Sequence, residues 1–237
     1  LEENSRNKVP VIQYSNIPTF QFSMEVPMSV FIKICGICSR NDLEQICALE
    51  PDAIGFIFWP RAKRYVRPEQ VASWLKSVPE QIKKVGVFVE PPPGEVESVA
   101  ISCRLDVIQI HLISNDWKIE RPLFQGLETW LSPRMGEGVL PGILNAVNPE
   151  PSVLLADSFD PNTIGGTGKL SSWERALVMK KEIGKPVMLA GGLNPENVRD
   201  AIAAVNPWGV DVSSGVEKEP GVKDIRKVKQ FVERVRR

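Results

Sequence analysis

The chain has 237 residues, 43% apolar and 24% charged, with 29 basic residues set against 29 acidic ones. One α/β barrel ordinarily takes about 250 residues, so a single domain with a sizeable core suffices. Lys and Arg are interleaved with Asp and Glu, which excludes nucleic acid as the expected partner. The longest apolar runs, such as 53–59, fall far short of the roughly 20 residues that cross a bilayer, which excludes a membrane.

Residues 1–28 are polar, carry scattered prolines (Pro10, Pro18, Pro27) and show no sustained period. They read as a poorly ordered N-terminal extension or linker ahead of a barrel domain spanning 29–237, with Met28 a natural start. From Val30 onward, short β-branched runs alternate with helical patterns. Strands are predicted at 30–34, 53–58, 84–89, 107–111, 127–131, 153–156, 187–189 and 209–212. Helices are predicted at 41–49, 68–78, 95–101, 139–147, 173–183, 195–205 and 222–235, with an ill-defined fourth crossover near 117–123. Asn194 before Pro195 reads as an N-cap followed by proline at the first helical position. Val222, Ile225, Val228, Val232 and Val235 form one apolar stripe with charges opposite.

Strands that are apolar throughout, rather than alternating, indicate a parallel sheet covered on both faces. Eight such units predict an α/β fold, a single (β/α)8 TIM barrel with a short irregular N-terminal extension. An open doubly wound sheet is the competitor, but Cys35-Gly36-Ile37-Cys38 at the first turn does not match G-x-G-x-x-G. The cysteines Cys35, Cys38, Cys47 and Cys103 are not expected to form a disulfide framework, which belongs mainly to small secreted domains with a signal segment. Cys35 and Cys38 read C-x-x-C, yet no second pair exists and His111 is the only histidine, so no structural zinc is expected.

In such a barrel the functional groups sit where strands end. Ala190-Gly191-Gly192 follows strand seven and Ser213-Ser214-Gly215 follows strand eight; glycine backbone N–H groups in both make a phosphate cradle. Either pair alone is more simply a tight turn. Asp157 ends strand six as a candidate acid or base, with an N-cap or loop brace as the plainer alternative. The glycine-rich stretch Gly165-Gly166-Thr167-Gly168-Lys169 beyond it is long enough for a lid. Cys35 ends strand one, where a thiol of lowered pKa acts as base or nucleophile and a buried inert cysteine is equally plausible. Arg61, Lys63 and Arg64 follow strand two, either holding a carboxylate or forming a solvated charge cluster. Gln109 and His111 end strand four, and Asp211 lies within strand eight.

Several of these segments together resemble phosphoribosylanthranilate isomerases. They are Lys33-Ile34-Cys35-Gly36-Ile37, Asp52-Ala53-Ile54-Gly55-Phe56-Ile57-Phe58, Arg64-Tyr65-Val66, Val85-Gly86-Val87-Phe88-Val89, Leu154-Leu155-Ala156-Asp157-Ser158, Gly165-Gly166-Thr167-Gly168-Lys169, Leu189-Ala190-Gly191-Gly192-Leu193 and Asp211-Val212-Ser213-Ser214-Gly215-Val216-Glu217. The resemblance runs from about Phe31 to the C-terminus. It implies the Amadori rearrangement of N-(5′-phosphoribosyl)anthranilate in tryptophan biosynthesis, in the cytoplasm, with no metal or organic cofactor. By the same resemblance Asp157 is the general acid and Cys35 the general base. Arg64 binds the anthranilate carboxylate, His111 and Asp211 line the site, and Gly191, Gly192, Ser214 and Gly215 hold the phosphate. Association with neighbouring tryptophan-pathway enzymes is a further expectation of the family. The chain departs from the family pattern at Leu112, where glycine is usual and where a larger side chain is expected to narrow the aromatic pocket or redirect the fourth loop. It departs again at Leu170-Ser171-Ser172-Trp173 and in the fifth-strand region.

Two other functions fit parts of this pattern. The histidine-pathway isomerase rearranges another phosphoribosylated amine, but it normally uses two aspartates and shows a half-barrel repeat, and neither is present here. A paralogue that binds a phosphorylated ligand without turnover would have no need of both Cys35 and Asp157.

Overall fold

The computed structural model describes residues 29–92, 94–114, 127–133, 150–157 and 172–237. Eight parallel strands close into a ring in sequence order: β1 Phe31–Cys35, β2 Ala53–Ile57, β3 Lys83–Val89, β4 Val107–His111, β5 Glu128–Ser132, β6 Val153–Ala156, β7 Val187–Leu189 and β8 Gly209–Val212. All eight predicted strands are present, each boundary within one residue of expectation. The ring closes where Phe31 to Ile34 of β1 pair with Gly209 to Val212 of β8. The helices are α1 Arg40–Cys47, α2 Pro68–Trp74, α3 Glu95–Cys103, α4 Ser172–Ile183, α5 Val198–Val205 and α6 Ile225–Arg236. The extension 1–28, the crossover near 117–123, the helix expected at 139–147 and the lid at 165–168 lie outside the described residues.

Side chains alternate between two faces along each strand, so one set fills the ring and the other lies under the helices. Ile32, Ile34, Ile54, Phe56, Ile108, Ile110, Leu154, Leu189, Val210 and Val212 belong to the outer core. Ala53, Val85, Val87, Val107, Trp130, Val153, Leu155 and Met188 fill the ring together with Cys35. The floor is aromatic. Trp130 is fully buried, Phe31 stacks on Trp208 at 4.5 Å, and Trp130 meets both rings edge-on. By the same alternation Lys33, Gln109, His111 and Asp211 project into the ring, where an apolar residue would ordinarily stand.

Local chemistry sets the helix ends, with three departures from expectation. Ser39 caps α1 by accepting from Asp42 N–H at 3.1 Å, and Asp224 caps α6 by accepting from Arg226 and Lys227 N–H. The first departure is Val222, which is not on the terminal stripe. It is exposed and lies in β10 Val222–Lys223, which pairs antiparallel with β9 Glu217–Glu219, and the buried face of α6 is Val228, Phe231, Val232 and Val235. The second is the end of the second predicted helix, which tightens into a 3-10 turn at Leu75–Ser77. The third is α5, which starts at Val198 rather than Pro195. Asn194 does cap the preceding turn, its Oδ1 accepting from Glu196 and Asn197 N–H at 2.9 and 3.0 Å.

Deleting a large buried ring leaves a cavity that a closed barrel cannot collapse into. Trp130→Ala should therefore lower the urea-unfolding free energy by about 3–5 kcal/mol. Trp208→Ala, at a half-exposed ring, should cost clearly less; equal losses would mean that the floor is not held by Trp130.

Candidate active site

Cys35, His111, Asp157 and Asp211 all reach the same end of the ring, where parallel strands deliver their C-termini. Cys35 closes β1 and Asp157 follows β6, separated by β7 and β8 one way round and by β2 to β5 the other. Directly below Cys35 on the same inner face is Lys33, whose side chain is 0% exposed and whose Nζ donates to Asp211 Oδ2 at 2.9 Å. Gly55 on the adjacent strand makes room for both. A methyl group there would stand 2.8 Å from Cys35 Sγ and 3.1 Å from Lys33 Cε, so thiol and lysine converge over a single α-carbon.

The electrostatics follow from this packing. Burial pushes the Cys35 thiol up, Lys33 opposes that most strongly, Asp211 adds to the rise and Lys223 offsets part of it. Lys33 is itself desolvated, but Asp211 and Cys35 more than compensate and keep it an ammonium. His111 is brought down to about 4 by burial first and by the charge of Lys33 second, with Asp211 opposing, so the imidazole is neutral near pH 7. Gln109 Nε2 lies 2.6 Å from His111 Nε2; with the amide donating, the ring proton sits on Nδ1. Asp211 Oδ1, Gln109 Oε1 and Ser213 Oγ are buried acceptors without a hydrogen-bond partner among the described residues.

A second polar cluster stands beside the first. Arg64 grips Glu217 with two parallel bonds, Nε to Oε1 at 2.7 Å and Nη2 to Oε2 at 2.6 Å. Glu217 Oε1 also accepts from Lys223 Nζ at 3.0 Å, and the same ammonium donates to the carbonyls of Cys35 at 2.6 Å and Ser213 at 3.0 Å. Burial raises the Glu217 carboxyl, but Arg64 and Lys223 outweigh it and hold the group ionised. Gly36 lies at the junction with φ of 72°, and a side chain on it would stand 2.6 Å from Arg64 Cδ and 2.8 Å from Ser213 Oγ. Glycine is therefore required there twice over, by backbone angle and by space.

The two glycine-rich loops touch. A Cβ on Gly215 would overlap the carbonyl of Leu193, so Gly215 packs directly against the loop that carries Gly191 and Gly192, both at positive φ. Ser214 opens the 3-10 turn Ser214–Val216. Asp157 is anchored through its backbone carbonyl, which accepts from Arg175 Nη1 at 2.9 Å. Leu112 does not narrow the pocket: it is 6% exposed and belongs to the outer core, with its N–H bonded to the Ser132 carbonyl, while the other expectation, a redirected fourth loop, falls on 115–126, outside the described residues.

Thus every predicted site residue within the described set lies at one end of the barrel, or on a loop leaving it, while the lid residues Gly165, Gly166, Thr167 and Gly168 fall outside that set. Lys33, Glu217 and Lys223 were given no role by sequence reasoning. A lysine two residues before Cys35 in an otherwise apolar strand was the available signal for Lys33, because alternation puts both on one face. Cys35 and Cys38 are free thiols, Cys38 bonding the Gly36 carbonyl at 3.5 Å. Among the described residues no group of three or more His, Cys, Asp or Glu side chains is placed to hold a metal ion, and no helix is long and apolar enough to cross a membrane.

Comparison with known proteins agrees with this geometry. Residues 32–234 match the family model for N-(5′-phosphoribosyl)anthranilate isomerase. A relative of that name from Geotalea uraniireducens is 38% identical over 211 residues, covering 86% of this chain and 98% of its own. The crystal structure of phosphoribosyl anthranilate isomerase from Thermotoga maritima superposes with a TM-score of 0.71 at 34% identity, covering 87% of this chain and 98% of its own. A structure of such an enzyme in complex with reduced 1-(o-carboxyphenylamino)-1-deoxyribulose 5-phosphate superposes at 0.69 with 33% identity and the same coverage. With eight strands in the expected order, a thiol at the end of strand one, a carboxylate just after strand six, and a match over nearly the whole barrel, the chain belongs to the N-(5′-phosphoribosyl)anthranilate isomerase family.

Proposed function

We propose that this protein converts N-(5′-phosphoribosyl)anthranilate to 1-(o-carboxyphenylamino)-1-deoxyribulose 5-phosphate, in the cytoplasm and as a step of tryptophan biosynthesis. The observation that carries the reading is the pair Cys35 and Asp157, set at the end of β1 and just after β6 around one mouth, with a buried ammonium beneath the thiol. Asp157 donates a proton to the furanose ring oxygen, the bond from that oxygen to C1′ breaks, and the nitrogen lone pair forms the Schiff base. Cys35 as thiolate then takes the C2′ proton, and the electrons of that C–H bond flow toward nitrogen to give the enolamine. Tautomerisation leaves a ketone at C2′ and an amine at C1′. Two groups are needed because one side chain cannot reach both the ring oxygen and the C2′ hydrogen.

The remaining groups bind and orient. Arg64 takes the anthranilate carboxylate, the backbone of Gly191, Gly192, Ser214 and Gly215 takes the phosphate, and the unpartnered oxygens of Asp211 and Gln109 accept from the hydroxyls of the opened sugar. Neutral His111 donates from Nδ1 and adds no charge that would compete with Lys33 for the thiolate. The lid role of 165–168 and the extension at 1–28 belong to this proposal as expectations, as does association with neighbouring tryptophan-pathway enzymes.

Loss of anthranilate-type fluorescence on adding freshly generated substrate tests the activity; no loss at any pH between 6 and 9 would refute it. Cys35→Ser keeps the size but raises the pKa far beyond use, and Asp157→Asn has no proton to give. Each should lower kcat by about 10² to 10⁴ while leaving the affinity for a product analogue nearly unchanged. A loss under about tenfold in either variant would remove that residue from its role.

Lys33→Met removes the cation that opposes burial of the thiolate and leaves Asp211, which disfavours it. The pH midpoint for iodoacetamide alkylation of Cys35, followed peptide by peptide so that the other three thiols serve as controls, should move up by about one unit or more. An unchanged midpoint would mean that Lys33 serves only to pair Asp211.

A further inference from the structure

We propose that Glu217 is a positioning residue for substrate choice: it orients Arg64 so that the protein prefers an arylamine bearing an ortho carboxylate. The inference rests on the reading of Arg64 as the carboxylate ligand and goes beyond it. A guanidinium has five N–H donors in a planar fork. Glu217 takes Nε–H and one N–H of Nη2, which leaves the other edge, formed by Nη1 and the second N–H of Nη2, with no ion pair or hydrogen bond among the described residues. That edge suits a second carboxylate in the same bidentate manner. Counted over the three side chains that bond one another, Arg64, Lys223 and Glu217 carry one surplus positive charge, matching a single incoming anion.

The mooring is rigid. The Glu217 side chain is 4% exposed and that of Lys223 0%, and Lys223 ties the same carboxylate to the carbonyls of Cys35 and Ser213. One buried carboxylate therefore fixes the carboxylate clamp relative to the strand end that carries the base and to the start of the phosphate loop. Without it the Arg64 chain, passing over Gly36, would have to be ordered anew each time substrate binds.

The test compares the binding, by calorimetry, of two ligands: reduced 1-(o-carboxyphenylamino)-1-deoxyribulose 5-phosphate and the same compound made from aniline. The wild-type chain should favour the carboxylated ligand, and Glu217→Gln should shrink that preference by about tenfold or more. Arg64→Ala should already lack it, and adding Glu217→Gln to Arg64→Ala should shrink it no further, since the two act as one unit. If Glu217→Gln weakens both ligands alike and keeps the preference, Glu217 is only a structural brace and the inference fails, while the role of Arg64 stands. If Arg64→Ala keeps the preference, the carboxylate reading itself is wrong. Should Glu217→Gln fail to fold by circular dichroism, Glu217→Asp, which keeps the charge but withdraws it by one methylene, carries the same expectation and the same refutation.

Discussion

The fully buried ammonium of Lys33 is the constraint around which the upper half of the barrel is arranged. An isolated charge inside a ring of valine, leucine and methionine would be far too costly; Asp211 across the β1–β8 seam makes it tolerable at 2.9 Å. Such a pair is weak evidence for stability, because well-packed apolar residues of similar volume often do as well or better. Its presence in the inner layer, beneath the Cys35 thiol, is better explained by what the charge does to its neighbours. It favours the thiolate of Cys35 and disfavours the imidazolium of His111, two effects of one sign on two groups of opposite need.

The second polar cluster solves a different problem. Functional groups on barrel loops inherit the mobility of loops unless something ties them to the strands. Lys223 does this from outside the ring. It arrives on the short hairpin β9–β10 rather than on a barrel strand, and its single ammonium reaches the end of β1, the end of β8 and Glu217. The hairpin thereby belongs to the site, although its own residues are largely exposed at the turn. The contact between Gly215 and the Leu193 carbonyl does for the two glycine-rich loops what Lys223 does for Cys35 and Glu217.

The fold was legible because its cause is periodic. Eight apolar runs at barrel spacing fix eight strands, and alternation within each run fixes which side chains enter the ring. The site was legible in part. Cys35, Asp157, Arg64, His111 and the glycine pairs occupy strand ends or the loops beyond them, which made them candidates, while their expected roles came from the resemblance rather than from position. Lys33, Glu217 and Lys223 escaped notice for distinct reasons. Lys33 lies within a strand, where a charge reads as an interruption of the pattern rather than as its purpose. Lys223 lies in a segment rich in Lys and Glu, where nothing local separates a buried ammonium from solvated ones, and Val222 beside it imitated the start of the helical stripe. Glu217 stood in a recognised segment, but its function depends on Arg64, 153 residues away in sequence. Leu112 was misread for the converse reason: adjacency to His111 in sequence suggested adjacency in the pocket, whereas successive residues on an extended chain face opposite sides.

The thiol base proposed at Cys35 would answer to two opposed demands. Removing a proton from carbon requires a strong base, and burial supplies strength by raising the pKa of Cys35; yet a base must also be deprotonated at working pH, and burial works against that. Exposure would populate the thiolate but weaken it. The arrangement keeps the thiol desolvated and places a fixed cation below it, so the thiolate is stabilised by a charge rather than by water. A cation does this without the reorganisation that a hydration shell would undergo as the proton is transferred. For such a cation to be permanent it needs a partner, and the Asp211 carboxylate supplies one at 2.9 Å while itself adding to the rise of the thiol. Lys33 beside Cys35 therefore offsets part of what burial and Asp211 add: the thiol still lies above its ordinary range, a strong base whose thiolate is less costly than burial alone would make it.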